Sequence, residues 1–173
     1  MEITFHNVTK NFMGQTVLTG LDISIGSGEK VAVTGHNGSG KSTLLKLAYR
    51  AILPTEGSIA FRQKGQVLPE ADIPRRMSYA APYLELIEEL SAREFLELYG
   101  RFRSFRPPFN PEAILRYAYL QEAQTKLITN FSSGMKQRLR LALALFSESE
   151  AVLLDEPLSN LDEAGINWYK NLL

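Results

Sequence analysis

The octapeptide GHNGSGKS, Gly35 to Ser42, follows a short valine-rich run, KVAVTG, and leads into KSTLLKLAYRAIL, whose apolar residues recur at helical spacing up to Pro54. It matches the pattern G-x-x-x-x-G-K-[ST] in full and has the context that pattern requires, a strand before and a helix after. Glycines suit the loop because successive amides must turn inward around phosphate oxygens, in backbone conformations that side chains would obstruct. The following helix adds its positive N-terminal end. Lys41 supplies a point charge for the β- and γ-phosphates of a nucleotide, and the Ser42 hydroxyl is a hard ligand for Mg²⁺. The candidate phosphate-binding residues are therefore Gly35, His36, Asn37, Gly38, Ser39, Gly40, Lys41, Ser42 and Thr43.

A phosphate loop needs an acid to hold the metal through water. Asp155, at the end of the apolar run AVLLD, has the right character for it. Glu156 beside it is placed to accept a proton from an attacking water. The chain has 173 residues, enough for one domain with a sizeable core. Its 19 basic and 19 acidic residues give a net charge of +0, so no global field draws it to nucleic acid or anionic lipid. Cysteine is absent, which removes disulfides and thiolate metal sites and fits a reducing compartment.

The remaining pattern alternates strands and helices. EITFHNV and TVLTGLDISIG read as two antiparallel strands, KVAVTG as a strand buried on both faces, SIAFR as a further strand and RMSYAAP as a short apolar segment. Ser91, with Glu94 three residues on, opens a helix through a capping box, and Asn110 with Pro111 opens another. The basic and aromatic stretch between them, RFRSFRPPF, reads as a solvated loop rather than a nucleic-acid site, since no basic stripe accompanies it. RLRLALALF alternates like a strand, but it has no β-branched residue and is built of strong helix formers, which predicts a helix apolar nearly all round. Ser132 or Ser133 then caps it, and Gly134 leaves its first amides open to an anion. On these residues alone, FSSGMKQR is either a capped helix start or a second phosphate-binding element. A last helix runs from Asp162 through EAGINWYKNLL.

The order of these motifs resembles that of ATP-binding cassette (ABC) ATPases over nearly the whole chain: a phosphate loop, a helical insertion, Ser-x-Gly at a helix start, apolar-Asp-Glu, then SNLD. The family signature usually reads LSGGQ, and Phe131, Ser132, Ser133, Gly134 and Met135 occupy its five places. The resemblance implies that Ser132 and Gly134 reach the γ-phosphate bound to an opposite subunit, that Asp162 of SNLD lies at the subunit interface, and that Phe12 stacks on adenine. It implies an α/β P-loop NTPase fold with a helix-flanked, mainly parallel sheet, an N-terminal antiparallel β part and an inserted helical subdomain near residues 83–135, all in one domain over 1–173. It further implies ATP and Mg²⁺ as cofactors and a homodimer or heterodimer of ATPase subunits with ATP at the interface. A separate membrane permease would be the partner, placing the protein in the cytoplasm at the inner face of the membrane, with no role for nucleic acid. A regulatory module that binds ATP with little turnover is the alternative.

Two departures bear on the activity. Pro82, in MSYAAPYLE, stands where the family has a glutamine that touches Mg²⁺ and the attacking water. The family's switch histidine also has no counterpart, since the histidines are His6 and His36. The expectation is a chain incomplete at its C-terminus and of a small exporter type.

Overall fold

A computed structural model of the chain describes residues 1–172 and divides into two compact units, Met1–Met77 and Ser78–Leu173. The first is built on an antiparallel sheet. Strands β1 (Glu2–Phe12) and β2 (Gln15–Ile25) form a hairpin, and Met13 and Gly14 between them both have positive φ, 46° and 84°. That is the two-residue turn whose twist matches the strands it joins. Strand β3 (Glu56–Gln63) pairs with the other edge of β1, and a second such turn, Lys64 and Gly65, leads to β4 (Gln66–Val67). The order is β2-β1-β3-β4, so the expected N-terminal antiparallel part is present.

Ile3 lies opposite Phe61 and Phe5 opposite Ile59, and all four side chains are buried. Strict alternation would next bury residue 7. Instead Asn7 turns left-handed, with φ 46°, and the register of β1 shifts between His6 and Thr9, so that Val8 is fully buried. Gly57 sits against this bulge with φ +80°, and a Cβ there would come within 2.3 Å of the Asn7 carbonyl oxygen and 2.4 Å of that of His6. No other residue fits.

Helix α1 (Lys41–Ala48) begins where the sequence predicts and ends short of Pro54. Arg50 adopts φ 63°, Ala51 N–H bonds the Lys46 carbonyl at 2.9 Å, and Arg50 N–H bonds that of Leu47 at 3.1 Å. This double bond across a left-handed residue closes the helix without a glycine, and the Arg50 guanidinium is paired with Glu70. A four-residue helix, α2 (Ile73–Arg76), completes the unit.

The valine-rich run before the glycine loop departs from expectation. Residues 29–36 belong to no strand, and Val31 and Val33 are 50% and 38% exposed. A strand buried on both faces needs a hydrogen-bonded neighbour to hold it in a sheet, and among the described residues no strand of either sheet pairs with it.

In the second unit, β5 (Met77–Ala80), which starts at the last residue of the first, pairs with β6 (Ala151–Leu154) as the parallel part of the fold. Four helices accompany them: α3 (Ala92–Phe102), α4 (Pro111–Tyr117), α5 (Ser133–Phe146) and α6 (Glu163–Leu172). The last residue of the predicted final helix, Leu173, lies outside the described residues.

Both predicted caps form. Ser91 Oγ accepts from Glu94 N–H, and the Glu94 carboxylate accepts from the Ser91 amide at 2.9 Å and from its hydroxyl. Those bonds from Ser91 hold the Glu94 carboxyl below the usual range. Asn110 Oδ1 accepts from Ala113 N–H at 2.8 Å. The alternating leucines form helix α5, as composition predicts against periodicity. From Leu139 to Phe146 every residue but Arg140 and Leu145 is buried, because α5 is enclosed by a core that includes Leu96, Ile114, Leu115 and Trp168.

The basic and aromatic loop is explained by the same core. Phe105 stacks on Tyr99 at 5.7 Å and Phe109 lies 4.3 Å from Phe146, while Arg106 donates to the Leu145 carbonyl. Two of its three phenylalanines are packing residues, and Phe102 is exposed.

Gly57→Ala is expected to destabilise the protein by about 2–3 kcal/mol, since it combines a forbidden φ with a backbone clash. Urea unfolding checks this. A loss below about 0.5 kcal/mol would mean that the bulge relaxes freely.

Candidate functional site

The glycine loop lies wholly in the first unit. Residues 35–38 are exposed, Gly38 and Gly40 have φ 81° and 92°, and Gly40 is the N-cap of α1 with no side chain to satisfy the first amides. The positive end of the α1 dipole therefore faces the loop with no capping side chain on Gly40, a setting that favours an anion. Lys41 folds back over the loop, its Nζ donating to the carbonyl oxygens of Gly35 and His36, both at 2.9 Å. Its ammonium is thereby held over the turn formed by Ser39 N–H on the His36 carbonyl. His36 Nδ1 lies 2.9 Å from the Asn37 carbonyl oxygen, the distance of an N–H donated to it. Ser42 and Thr43 follow Lys41 in the first turn of α1. Phe12, at the end of β1, is 42% exposed, with the Lys10 ammonium 4.9 Å from its ring centroid. It is a surface ring rather than a core residue.

The other predicted residues lie in the second unit. Asp155 directly follows β6 and is only 3% exposed. Its amide donates to the Ala80 carbonyl at 2.8 Å, extending the β5–β6 pairing by one bond. A carboxylate this deep requires donors, and two phenols supply them: Tyr83 Oη lies 3.1 Å and Tyr79 Oη 3.3 Å from Asp155 Oδ2, and the two phenols also bond each other. Burial first, then Tyr83 and Asp155, push the Tyr79 hydroxyl far above its ordinary range, so it stays a donor. Sequence reasoning did not find these tyrosines. Their signal was present in SYAAPY, two tyrosines flanking the end of a strand whose neighbour ends in an acid.

Glu156 is exposed and left-handed, with φ 46°, and the Ser159 hydroxyl donates to its Oε2 at 3.0 Å. The turn it opens runs beside the start of α5. Gln137, 1% exposed, donates through Nε2 to the Pro157 carbonyl at 3.2 Å. A Cβ on Gly134 would lie 3.0 Å from the Asn160 carbonyl oxygen. Ser132, rather than Ser133, is the N-cap, its Oγ accepting from Met135 N–H at 3.2 Å. The first turns of α5, through Gly134 and Gln137, thus lie against residues 157–160, the segment between Glu156 and Asp162. Asp162 caps α6, with Oδ1 accepting from Gly165 N–H at 2.8 Å.

Ser42 in the first unit and Asp155 in the second are each a hard oxygen donor of the type Mg²⁺ accepts. Among the described residues no group of three or more His, Cys, Asp or Glu is arranged to hold a metal. Mg²⁺ is commonly held instead by one or two carboxylates or hydroxyls together with the phosphates of its nucleotide, the kind of donor that Ser42 and Asp155 provide.

An open groove of about 620 Å³ also lies in the second unit, lined in part by Tyr83, Leu84, Glu85, Glu88, Leu127 and Arg140. Glu88 pairs with Lys136 at 2.6 Å, and Arg140 Nε donates to the Leu84 carbonyl. Burial lowers the Arg140 pKa, with Glu88 partly opposing it. No helix among the described residues is long and apolar enough to cross a membrane.

Comparison with known proteins gives one consistent picture. A family profile described as "ABC transporter" matches residues 18–159. A daunorubicin resistance ATP-binding protein of Streptomyces coeruleorubidus is 31% identical over 94% of this chain and 52% of its own length. A bacitracin transport ATP-binding protein of Bacillus licheniformis is 30% identical over 96% of this chain and 55% of its own. The chain thus spans about half the length of these relatives. Among solved structures, an ATP-binding cassette described as a dimer in a post-hydrolysis state with ADP and Pi superposes with a TM-score of 0.83. It is 26% identical, over 98% of this chain and 80% of that one.

None of these likenesses bears on the cap at Asp162, for which the geometry makes its own prediction. Asp162→Ala should lower stability to urea by about 1 kcal/mol, the usual cost of a lost N-cap, whereas Asp162→Ser should keep it within a few tenths, about 0.5 kcal/mol at most. Equal losses in both variants would mean that capping is not what Asp162 contributes.

Proposed function

Since the chain belongs to the ABC transporter ATP-binding family, we propose that it binds and hydrolyses MgATP in a dimer and so energises a separate membrane permease. The observation that carries this reading is the glycine loop itself. Its glycines turn left-handed, the N-cap of α1 is a glycine with no capping side chain, and the Lys41 ammonium is folded over the carbonyls of Gly35 and His36. Such a loop binds phosphate by exchanging those carbonyls for phosphoryl oxygens.

Each remaining residue then has a role. Lys41 neutralises the β- and γ-phosphates, Ser42 and Asp155 hold the metal, and Phe12 stacks on adenine. When bound, Mg²⁺ offsets the charge developing on the transferred phosphoryl group. Glu156 accepts a proton from the attacking water, and the Ser159 hydroxyl on its Oε2 orients it. Ser132 and Gly134 meet the γ-phosphate of the opposite subunit, with Asp162 near the dimer interface. The cap on Ser132 supports this reading, because it sets the first turn of α5 without a charged side chain, leaving amides for an anion. The helical subdomain near residues 83–135 would transmit the nucleotide state to the permease. In this arrangement the protein sits in the cytoplasm at the inner face of the membrane.

Glu156→Gln is expected to retain ATP binding, to slow phosphate release by ~10²-fold or more, and to accumulate an ATP-dependent dimer in sedimentation. A variant that hydrolyses ATP at the parental rate would remove Glu156 from the role of base. One that stays monomeric at saturating ATP would count against the dimer.

A further inference from the structure

Pro82 cannot replace the family's glutamine, since its ring carries neither donor nor acceptor beyond the backbone carbonyl. The next residue has both. Tyr83 is half exposed, with its ring on the open groove and its hydroxyl 3.1 Å from Oδ2 of the buried Asp155. Tyr79 reaches the same oxygen at 3.3 Å, and the two phenols are bonded to each other.

Three oxygens in mutual contact share two phenolic protons, and a phenol has only one to donate. At any moment, therefore, either both phenols donate to the carboxylate or one donates to the other, which donates on. Every such arrangement leaves at least one phenolic O–H on Oδ2. The Asp155 amide is fixed to the Ala80 carbonyl, so the residue is anchored at its backbone as well as at Oδ2.

We propose that Tyr83, backed by Tyr79, is a positioning residue that fixes the Asp155 carboxylate through Oδ2 and so readies it to hold Mg²⁺. The proposal rests on reading Asp155 as the metal-holding acid. Its physical basis is preorganisation: a carboxylate held by an outer donor does not have to be immobilised when the metal arrives, and loss of such a donor commonly weakens metal binding by about 10–100-fold. Contact through a water rather than directly makes the lower end the expectation. Tyr83 also lines the groove, so a molecule filling that groove meets the ring whose hydroxyl holds the metal acid.

The test is a Mg²⁺ titration of a fluorescent, non-hydrolysable ATP analogue on the whole protein, with binding in EDTA as the reference. Tyr83→Phe keeps the ring and removes the donor. It should raise the Mg²⁺ concentration at half-maximal binding about 5- to 10-fold while leaving binding in EDTA unchanged. Tyr79→Phe should shift it in the same direction by less. A midpoint that stays within about twofold of the parent, or that falls, in Tyr83→Phe overturns the proposal, because the phenol would then be idle or a competitor of the metal. Asp155→Asn separates the two levels: if it leaves the Mg²⁺ midpoint unmoved, Asp155 is not the metal acid and the underlying reading fails, whatever Tyr83→Phe does. Should Tyr83→Phe alter the near-ultraviolet circular dichroism, the Tyr79→Phe midpoint decides, and no shift there sinks the proposal.

Discussion

A carboxylate 3% exposed at the end of a strand has to be answered by donors, and the β5–β6 edge of the second unit and the segment after β5 meet that requirement at Asp155. The β5–β6 pairing continues into its amide, and Tyr79 and Tyr83 bring their hydroxyls to its Oδ2. Removing those donors would leave a buried charge with fewer partners, a loss costlier than an ordinary surface hydrogen bond. The carboxylate thus fixes how the segment after β5 leaves the sheet. That segment carries Tyr83 and Leu84 to one wall of the groove, where the Leu84 carbonyl accepts from Arg140 of α5.

Helix α5 imposes the second constraint. Being apolar nearly all round, it lies in the core, and its first turn is set beside residues 157–160 by Gln137 on the Pro157 carbonyl and by the close approach of Gly134 to that of Asn160. Glu156 and Asn160, both at positive φ, mark the ends of the turn so confined. Left-handed backbone at a non-glycine residue costs about 1–2 kcal/mol, and such strain gathers where surrounding structure over-determines it. The serine-glycine step of FSSGMKQR is therefore a structural necessity: serine satisfies an amide and glycine admits a neighbouring backbone. Its proposed contact with a nucleotide on another subunit is compatible with both duties, since neither occupies the whole set of first-turn amides.

Features governed by neighbouring residues could be read from the sequence directly. The glycine loop, the capping box at Ser91, the cap at Asn110 and the antiparallel hairpin depend on spacing alone, and each is found where the pattern puts it. The leucine alternation of RLRLALALF misleads about period, and its composition corrects the reading. Features governed by distant partners were not legible. The run KVAVTG has the composition of a buried strand, yet among the described residues it has no partner strand. The end of α1 is set by Arg50 in a left-handed conformation, for which sequence offers no glycine as a sign. Phe105 and Phe109 looked like surface aromatics because their partners, Tyr99 and Phe146, lie on helices on either side of the loop's own sequence. The tyrosine pair on Asp155 was hidden for the same reason, with more than seventy residues separating it from the acid.

In the proposed dimer one catalytic unit takes its phosphate loop from one copy and its Ser132 helix start from another. Complementation between two inactive proteins tests it directly. Lys41→Ala and Ser132→Ala should each be nearly inactive alone in phosphate release. When they are mixed, half of the dimers should be mixed pairs carrying one site with both an intact loop and an intact helix start. Mixing should then restore turnover to about a quarter of the parental rate, with independent sites contributing additively. Activity that stays at the level of the separate variants, with mixed dimers demonstrably formed, would contradict it.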